Sequence, residues 1–411
     1  MKKLILLCLL LLSSISLFAK RNFNCDITMS VQDTAMDWWY FIPENATPFV
    51  QDLKTCYREE NLNFHLFFKF FEEIKECSFE YEFFVIGKDK MEDIARERTK
   101  FSFEPSQINS IMPLGKPVNY KFSKDAPLGK YDILLRVIFE KEVFDFVKSI
   151  ELIEWELPKA IDNSKEATSF IFNYNQLANP NELFALFISE NTPLLKKGAP
   201  KGLDYFFLNF YKYAFDAQDF LYDKLLQIYP TASENLKKKI LILFAYANKG
   251  FNPVFIGEDD AQIYTYLSQN IIPNPYKELE GGFAPAQLDM LWGEFYATSS
   301  YKTFLKIIST LEYTKEGAYT EKLVREKKSP QSPQEKADFA VGMTYLNTLK
   351  RITLSTENQL FLKYLYKAIE SKKLSQAVSI QLAILIKTAN ENAKAPKDPE
   401  VINIGNLQKH K

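Results

Sequence analysis

Asn63-Phe-His-Leu-Phe-Phe-Lys-Phe70 decides how the first part of this chain folds. Phe64, Leu66, Phe68 and Phe70 occupy every second position, with Asn63, His65 and Lys69 among those between them. A period of two marks a half-buried strand, because successive side chains point to opposite faces. On that reading His65 faces solvent. The alternation recurs at Phe79, Tyr81 and Phe83, at Val118, Tyr120 and Phe122, and at Tyr131, Ile133, Leu135 and Val137. It ends at Ile150 and Leu152. Turn formers separate the runs: Gly87 with Asp89, Pro113 to Pro117, and Pro127 to Gly129. Six or more short strands punctuated in this way predict an antiparallel β-sandwich over residues 20–157.

Pro127-Leu-Gly-Lys-Tyr131-Asp-Ile-Leu-Leu-Arg-Val137 resembles a late strand of bacterial immunoglobulin-like or fibronectin-like modules, in which a Gly-x-Tyr step leads into an alternating strand. The resemblance covers about a dozen residues and implies an Ig-like architecture. The Cys…Trp…Cys framework of antibody domains is absent.

After Pro158 the period becomes helical. Leu236, Ile240, Leu243, Phe244 and Ala247 form one apolar stripe. Thr231 with Glu234 predicts a capping box before it, and Gly250 a left-handed cap after it. Ser332 with Glu335, and Pro333 at the first helical position, predicts a second box, and Thr356 with Gln359 a third. Leu288, Leu291, Trp292 and Phe295 form a further stripe, and Phe304, Leu305, Ile308 and Leu311 another. Ten or eleven helices on short connections predict a helical-hairpin array, solenoid-like, over residues 158–392. The fold class is thus α+β in separate domains. Lys315 to Pro333, rich in Lys, Glu, Ser and Pro, reads as a long exposed loop, and residues 393–411 as a flexible tail. Leu288-Asp-Met-Leu-Trp292-Gly-Glu-Phe-Tyr-Ala-Thr298, continued to Ile308, resembles uncharacterised bacterial exported proteins with a C-terminal helical domain. That resemblance implies a helical hairpin and no activity.

Lys2 and Lys3, the apolar run Leu4 to Leu12, and the small residues up to Ala19 have the layout of a secretory signal peptide over residues 1–19. The run is about half the length of a bilayer-spanning helix. It predicts an extracytoplasmic protein, periplasmic or secreted, in a bacterial host, with no membrane span once the leader is removed. Without the two leader lysines, 49 basic residues (51 less 2) face 52 acidic ones, a net charge of −3. That near-neutrality argues against nucleic acid as a partner. The 35 Phe and 22 Tyr predict a bulky aromatic core. Cys25, Cys56 and Cys77 remain, and an oxidising compartment permits a Cys56–Cys77 disulfide as readily as three reduced thiols.

Chemistry is thinly represented. With only His65 and His410, zinc sites built on several histidines are excluded, and no phosphate-cradling glycine loop or G-x-S-x-G elbow occurs. No cofactor is expected. Asp259 and Asp260, with Glu278 and Glu280, are the carboxylates that loop-borne glycoside hydrolysis could use, or that could cap the neighbouring helices. Trp38, Trp39 and Tyr40 form the densest aromatic cluster, either a ligand-binding platform or core packing. The reading that fits best is a non-enzymatic protein-interaction or scaffold module, whose partner is another exported or envelope protein. A carbohydrate-active hydrolase and an aromatic-platform binding protein are the alternatives.

Overall fold

A computed structural model describes residues 23–31, 52–71, 74–103, 111–113, 117–189, 203–249 and 284–394, apart from scattered positions within those spans, and a few residues near 192–194 and 262–277. Residues 1–19, read above as a signal peptide, Trp38, Trp39, Tyr40, Asp259, Asp260, Glu278, Glu280 and the residues from 395 onward lie outside the described residues. The chain has an N-terminal region of largely antiparallel sheets and a C-terminal helical region.

Nine strands are described: β1 (Phe23–Ser30), β2 (Thr55–Tyr57), β3 (Asn61–Phe70), β4 (Ile74–Ile86), β5 (Met91–Phe103), β6 (Ile111–Pro113), β7 (Val118–Lys121), β8 (Gly129–Phe139) and β9 (Glu142–Ile153). One sheet has the order β1-β3-β6, with β7 also on β3. The other has the order β2-β9-β8-β4-β5. All pairings are antiparallel except β2 with β9. The alternating residues of both sheets meet in one core. Phe64 stacks on Phe83 at 5.2 Å between ring centroids, and Phe23 meets Phe139 and Phe144 edge-on at 5.4 and 5.1 Å. Ring pairs of this kind add to what burial alone contributes.

The outer rim of β1 does not face water unpaired. Leu53 N–H donates to Met29 O at 2.7 Å, and the Asp52 carboxylate accepts from Met29 N–H at 3.1 Å. Lys148 of β9 reaches Ile27 O and holds Asp52 at 2.9 Å. Although burial pulls the Asp52 carboxyl upward, hydrogen bonds from Lys54, Lys148 and Met29 N–H hold it below its ordinary value.

The described residues contain eleven α-helices: α1 (Ser164–Leu177), α2 (Pro180–Ile188), α3 (Tyr205–Ala217), α4 (Phe220–Ile228), α5 (Glu234–Tyr246), α6 (Pro285–Thr298), α7 (Tyr301–Ser309), α8 (Thr314–Arg325), α9 (Pro333–Ser355), α10 (Gln359–Glu370) and α11 (Gln376–Lys394). Asn163, Asn179 and Asp204 cap α1, α2 and α3 by accepting first-turn N–H groups. The Ser332 box forms: Glu335 N–H donates to Ser332 Oγ at 3.1 Å, and Ser332 N–H to Glu335 Oε2 at 3.2 Å. The box expected at Thr231 does not form. Thr231 lies in a short 3-10 turn and Ser233 caps α5 instead, through Leu236 N–H. The left-handed residue after α5 is Asn248, at φ 53, so the helix stops before Gly250. A short polar residue tolerates that conformation almost as glycine does.

Helix α6 is buried on nearly every side and packs against α1, α3, α7 and α9. A Cβ at Gly293 would lie 2.3 Å from Phe206 O, so only glycine permits the close approach of α3. The stretch expected to be a loop, Lys315 to Pro333, is largely α8. Its charges face water while Gly317 and Thr320 lie against Tyr345 and Gly342 of α9. The burying stripe is made of small residues, which carry no hydrophobic signal in the sequence.

Candidate functional site

His65 is fully buried, contrary to its expected place on a solvent face. The cause is a third layer. In the β1–β3 register, Thr28 opposes His65, Ser30 opposes Asn63 and Asp26 opposes Phe67. Of this outward row, Thr28, Ser30, Asn63, His65 and Phe67 are all buried. Val31 and Phe67 join the helical core, not the one between the sheets. The helices therefore cover the outer face of the β1–β3 sheet.

That seam is polar where the backbone needs it. Gln218, at the α3–α4 corner, is fully buried. Its Nε2 donates to Val31 O at 3.2 Å and Asn61 O at 3.0 Å, and its Oε1 accepts from Asn61 N–H at 3.1 Å. Asn61 Nδ2 donates to Ala217 O at 2.7 Å, and Lys121 pairs with Asp219 at 2.8 Å. One glutamine thus satisfies three backbone groups at the end of β3, the buried Val31 O and the half-buried N–H and C=O of Asn61, which spares them the cost of being unsatisfied.

Beside it, in the turn from β2 to β3, sits Glu60, 1% exposed. Its Oε2 accepts from Tyr57 N–H at 2.7 Å. Burial drives the carboxyl up to about 8, the Tyr57 hydrogen bond drawing it partly back. Cys56 adjoins this turn as a buried free thiol, pushed up by burial and then by the Glu60 charge. Cys25 is likewise free and buried.

The Cys56–Cys77 disulfide does not form. Cys56 pairs with Leu152, which pairs with Gly129 at the start of β8. Cys77 lies in β4 beyond the Phe79–Phe139 pair, at the opposite end of β8. Ten residues of strand span roughly 30 Å, far outside the ~7 Å Cα separation that a disulfide tolerates.

A second acidic group is buried among the helices. Glu294 of α6 accepts from Tyr276 Oη and, at 2.8 Å, from Thr303 Oγ1 of α7. Tyr213 of α3 adjoins it. Burial first, then the Glu294 charge, raises the Tyr213 phenol, and both neighbouring phenols stay protonated donors. Tyr246 donates to Asn209, whose Nδ2 donates to Met290 O at 2.8 Å. The network ties α3, α5, α6 and α7 together.

The outer face of the five-stranded sheet is different. Cross-strand register builds three rows there: Phe84, Leu134 and Val147; Glu82, Arg136 and Asp145; Glu80, Ile138 and Val143. Val143 and Val147 are 56% and 61% exposed. Between them Arg136 grips Asp145 through two bonds of 2.9 and 3.0 Å, and Arg96 reaches Glu82 at 2.8 Å. Phe84 and Leu134 are buried, so the exposed apolar groups of this face are Val143 and Val147, with the charged ladder between them. Neither these valines nor Glu60, Gln218 or Glu294 carries a motif or spacing that marks it in the sequence. Val143 and Val147 alternate as legibly as any strand residues, but nothing in their spacing says which face is covered.

No family model matches the sequence, and no curated protein matches it. Among solved structures, a family 123 glycoside hydrolase from Clostridium perfringens is 12% identical over 37% of this chain and 32% of its own, at a TM-score of 0.22. The sporulation control protein Spo0M of Bacillus subtilis is 12% identical over 36% of this chain and 55% of its own, at 0.21. The native α-2-macroglobulin of E. coli is 9% identical over 89% of this chain and 25% of its own, at 0.19. The chain spans less than two thirds of each of these proteins. Likenesses this faint establish no shared fold and bring no activity with them.

Proposed function

We propose that this chain is an exported, non-enzymatic interaction module, in which an immunoglobulin-like β-sandwich carries a helical-hairpin array and docks on another extracytoplasmic protein. The leader-like residues 1–19 support export. The Tyr131 hydroxyl, donating back to Pro127 O at 2.7 Å beside Gly129 at φ 128, supports the Ig-like reading of that strand. The resemblance of the α6–α7 hairpin to helical domains of bacterial exported proteins supports the second half.

The observation that carries the reading is the outer face of the five-stranded sheet. Val143 and Val147 stand exposed on either side of a fixed ion-paired row. Apolar groups bordered by ordered charges suit a protein surface, since the apolar part supplies affinity and the charges supply register. None of the described residues favours the hydrolase or aromatic-platform readings, whose candidate residues are not among them.

A photo-crosslinking side chain at Val147, in the full chain expressed in its native host, tests the reading. The expected result is one dominant adduct in the extracytoplasmic fraction, identified by mass spectrometry and lost when Val143 is changed to Asp. Cytoplasmic retention, or a smear of adducts indifferent to Val143→Asp, overturns it.

A further inference from the structure

Glu60 is a buried acidic group beside the seam where the helices cover the sheet, and the Tyr57 N–H is the donor described for its charge. Among the described residues no cation pairs with it. From β2 and its own turn, Cys56 and Tyr57 face it, and from α1, Tyr174. All three are raised by burial first and then by the Glu60 charge. Glu156 adds its own negative charge at Tyr57. The nearby cations are engaged elsewhere. Arg58 donates to Ala126 O at 2.9 Å and pairs with Glu154 at 2.9 Å, and Lys121 pairs with Asp219 at 2.8 Å. Glu59, next in the turn, is a further acid, held at φ 63. The residue after Glu60 is Asn61, which Gln218 clasps from the helical side. Opening the seam would hydrate Glu60 and release that clasp together.

We propose that Glu60 is a proton-operated latch: protonated, it lets the helices stay docked on β3, and ionised, it favours a seam opened to water. The inference rests on the seam and not on the proposed partner surface. Its pH range follows from linkage. Closed, the carboxyl titrates at about 8. Open, it would titrate near the ordinary glutamate value of about 4.3. The closed form therefore holds the proton more tightly and is favoured in acid. Between about pH 4.3 and 8 each unit of rising pH shifts the balance towards the open form by up to about tenfold, and above 8 the effect levels off.

Hydrogen exchange on the full chain from pH 5 to 9, corrected for the intrinsic rate, reads this directly. The expected result is that protection of the segment containing Asn61 N–H falls by up to about tenfold per pH unit to pH 8 and then flattens. The segment around Leu135 in β8 keeps its protection. Glu60→Gln, which preserves an acceptor for Tyr57 N–H, removes the slope. A flat profile at Asn61 in the wild type, an equal slope in β8, or a slope that survives Glu60→Gln overturns the latch. If Glu60→Gln does not fold, the wild-type comparison between Asn61 and Leu135 decides alone.

Discussion

The two sheets of the N-terminal region treat their outer faces in opposite ways. On the β1–β3 sheet the outward row is mostly polar, with Thr28, Ser30, Asn63 and His65, yet it is buried. On the five-stranded sheet the outward row includes Val143 and Val147, yet these stand in water. Polarity along a strand reports what the chain can tolerate on a face, not what lies against it. The polar face is buried because hydrogen bonding is arranged for its backbone, as Gln218 shows at the end of β3. On the five-stranded sheet Val143 and Val147 stay exposed while Phe84 and Leu134, also on that face, are buried, with the Arg136 guanidinium over the Phe84 ring.

That contrast sets the order of mutational effects. Phe67→Ala, in the covered row, should cost about 3–5 kcal/mol in urea unfolding, since Phe67 is packed into the helical core. A cost below about 1 kcal/mol would mean the helices do not bear on the sheet. Gln218→Ala should cost about 1–3 kcal/mol, because Val31 O, Asn61 O and Asn61 N–H lose their buried partner. Its exchange signature should appear at Asn61 before β8.

Asp52→Asn tests the rim where the two sheets meet. The folded carboxyl lies below its unfolded value, so its contribution is present above about pH 4. That contribution disappears as pH falls through the lowered folded value. Stability measured from pH 6 down to 2 should fall less steeply in the variant than in the wild type. Equal slopes would show that Lys54 and Lys148 contribute nothing through Asp52. Val147→Asp should have the smallest effect, within about 0.5 kcal/mol of wild type. A larger loss in the isolated protein would mean that the five-stranded sheet is covered as the other one is.

The strands were legible in the sequence because a period of two survives whichever faces are buried. Phe64, Leu66, Phe68, Ile133, Leu135 and Val137 all point into the shared core. The α5, α6 and α7 stripes and the Ser332 box were legible for a similar local reason. Three features were not. The burial of His65 is decided by helices a hundred or more residues away. The α8–α9 contact is made by Gly317, Thr320 and Gly342, whose value lies in their small size and not in their hydrophobicity. The separation of Cys56 from Cys77 follows from strand order, and spacing along the chain does not encode it. Glu60 and Gln218 looked like ordinary surface residues, since their role exists only once two distant segments have met.

The sealed border of β1 has a consequence for how this protein can aggregate. Leu53, Asp52 and Lys148 occupy positions where the next strand of a foreign chain would have to bond. Runaway polymerisation by strand recruitment has no foothold there. A long remaining edge is β5, the last strand of its sheet, whose sequence carries Glu92, Arg96 and Arg98 along its length. Parallel, in-register stacking of β5 on a copy of itself would bring like charges together and oppose that mode of growth.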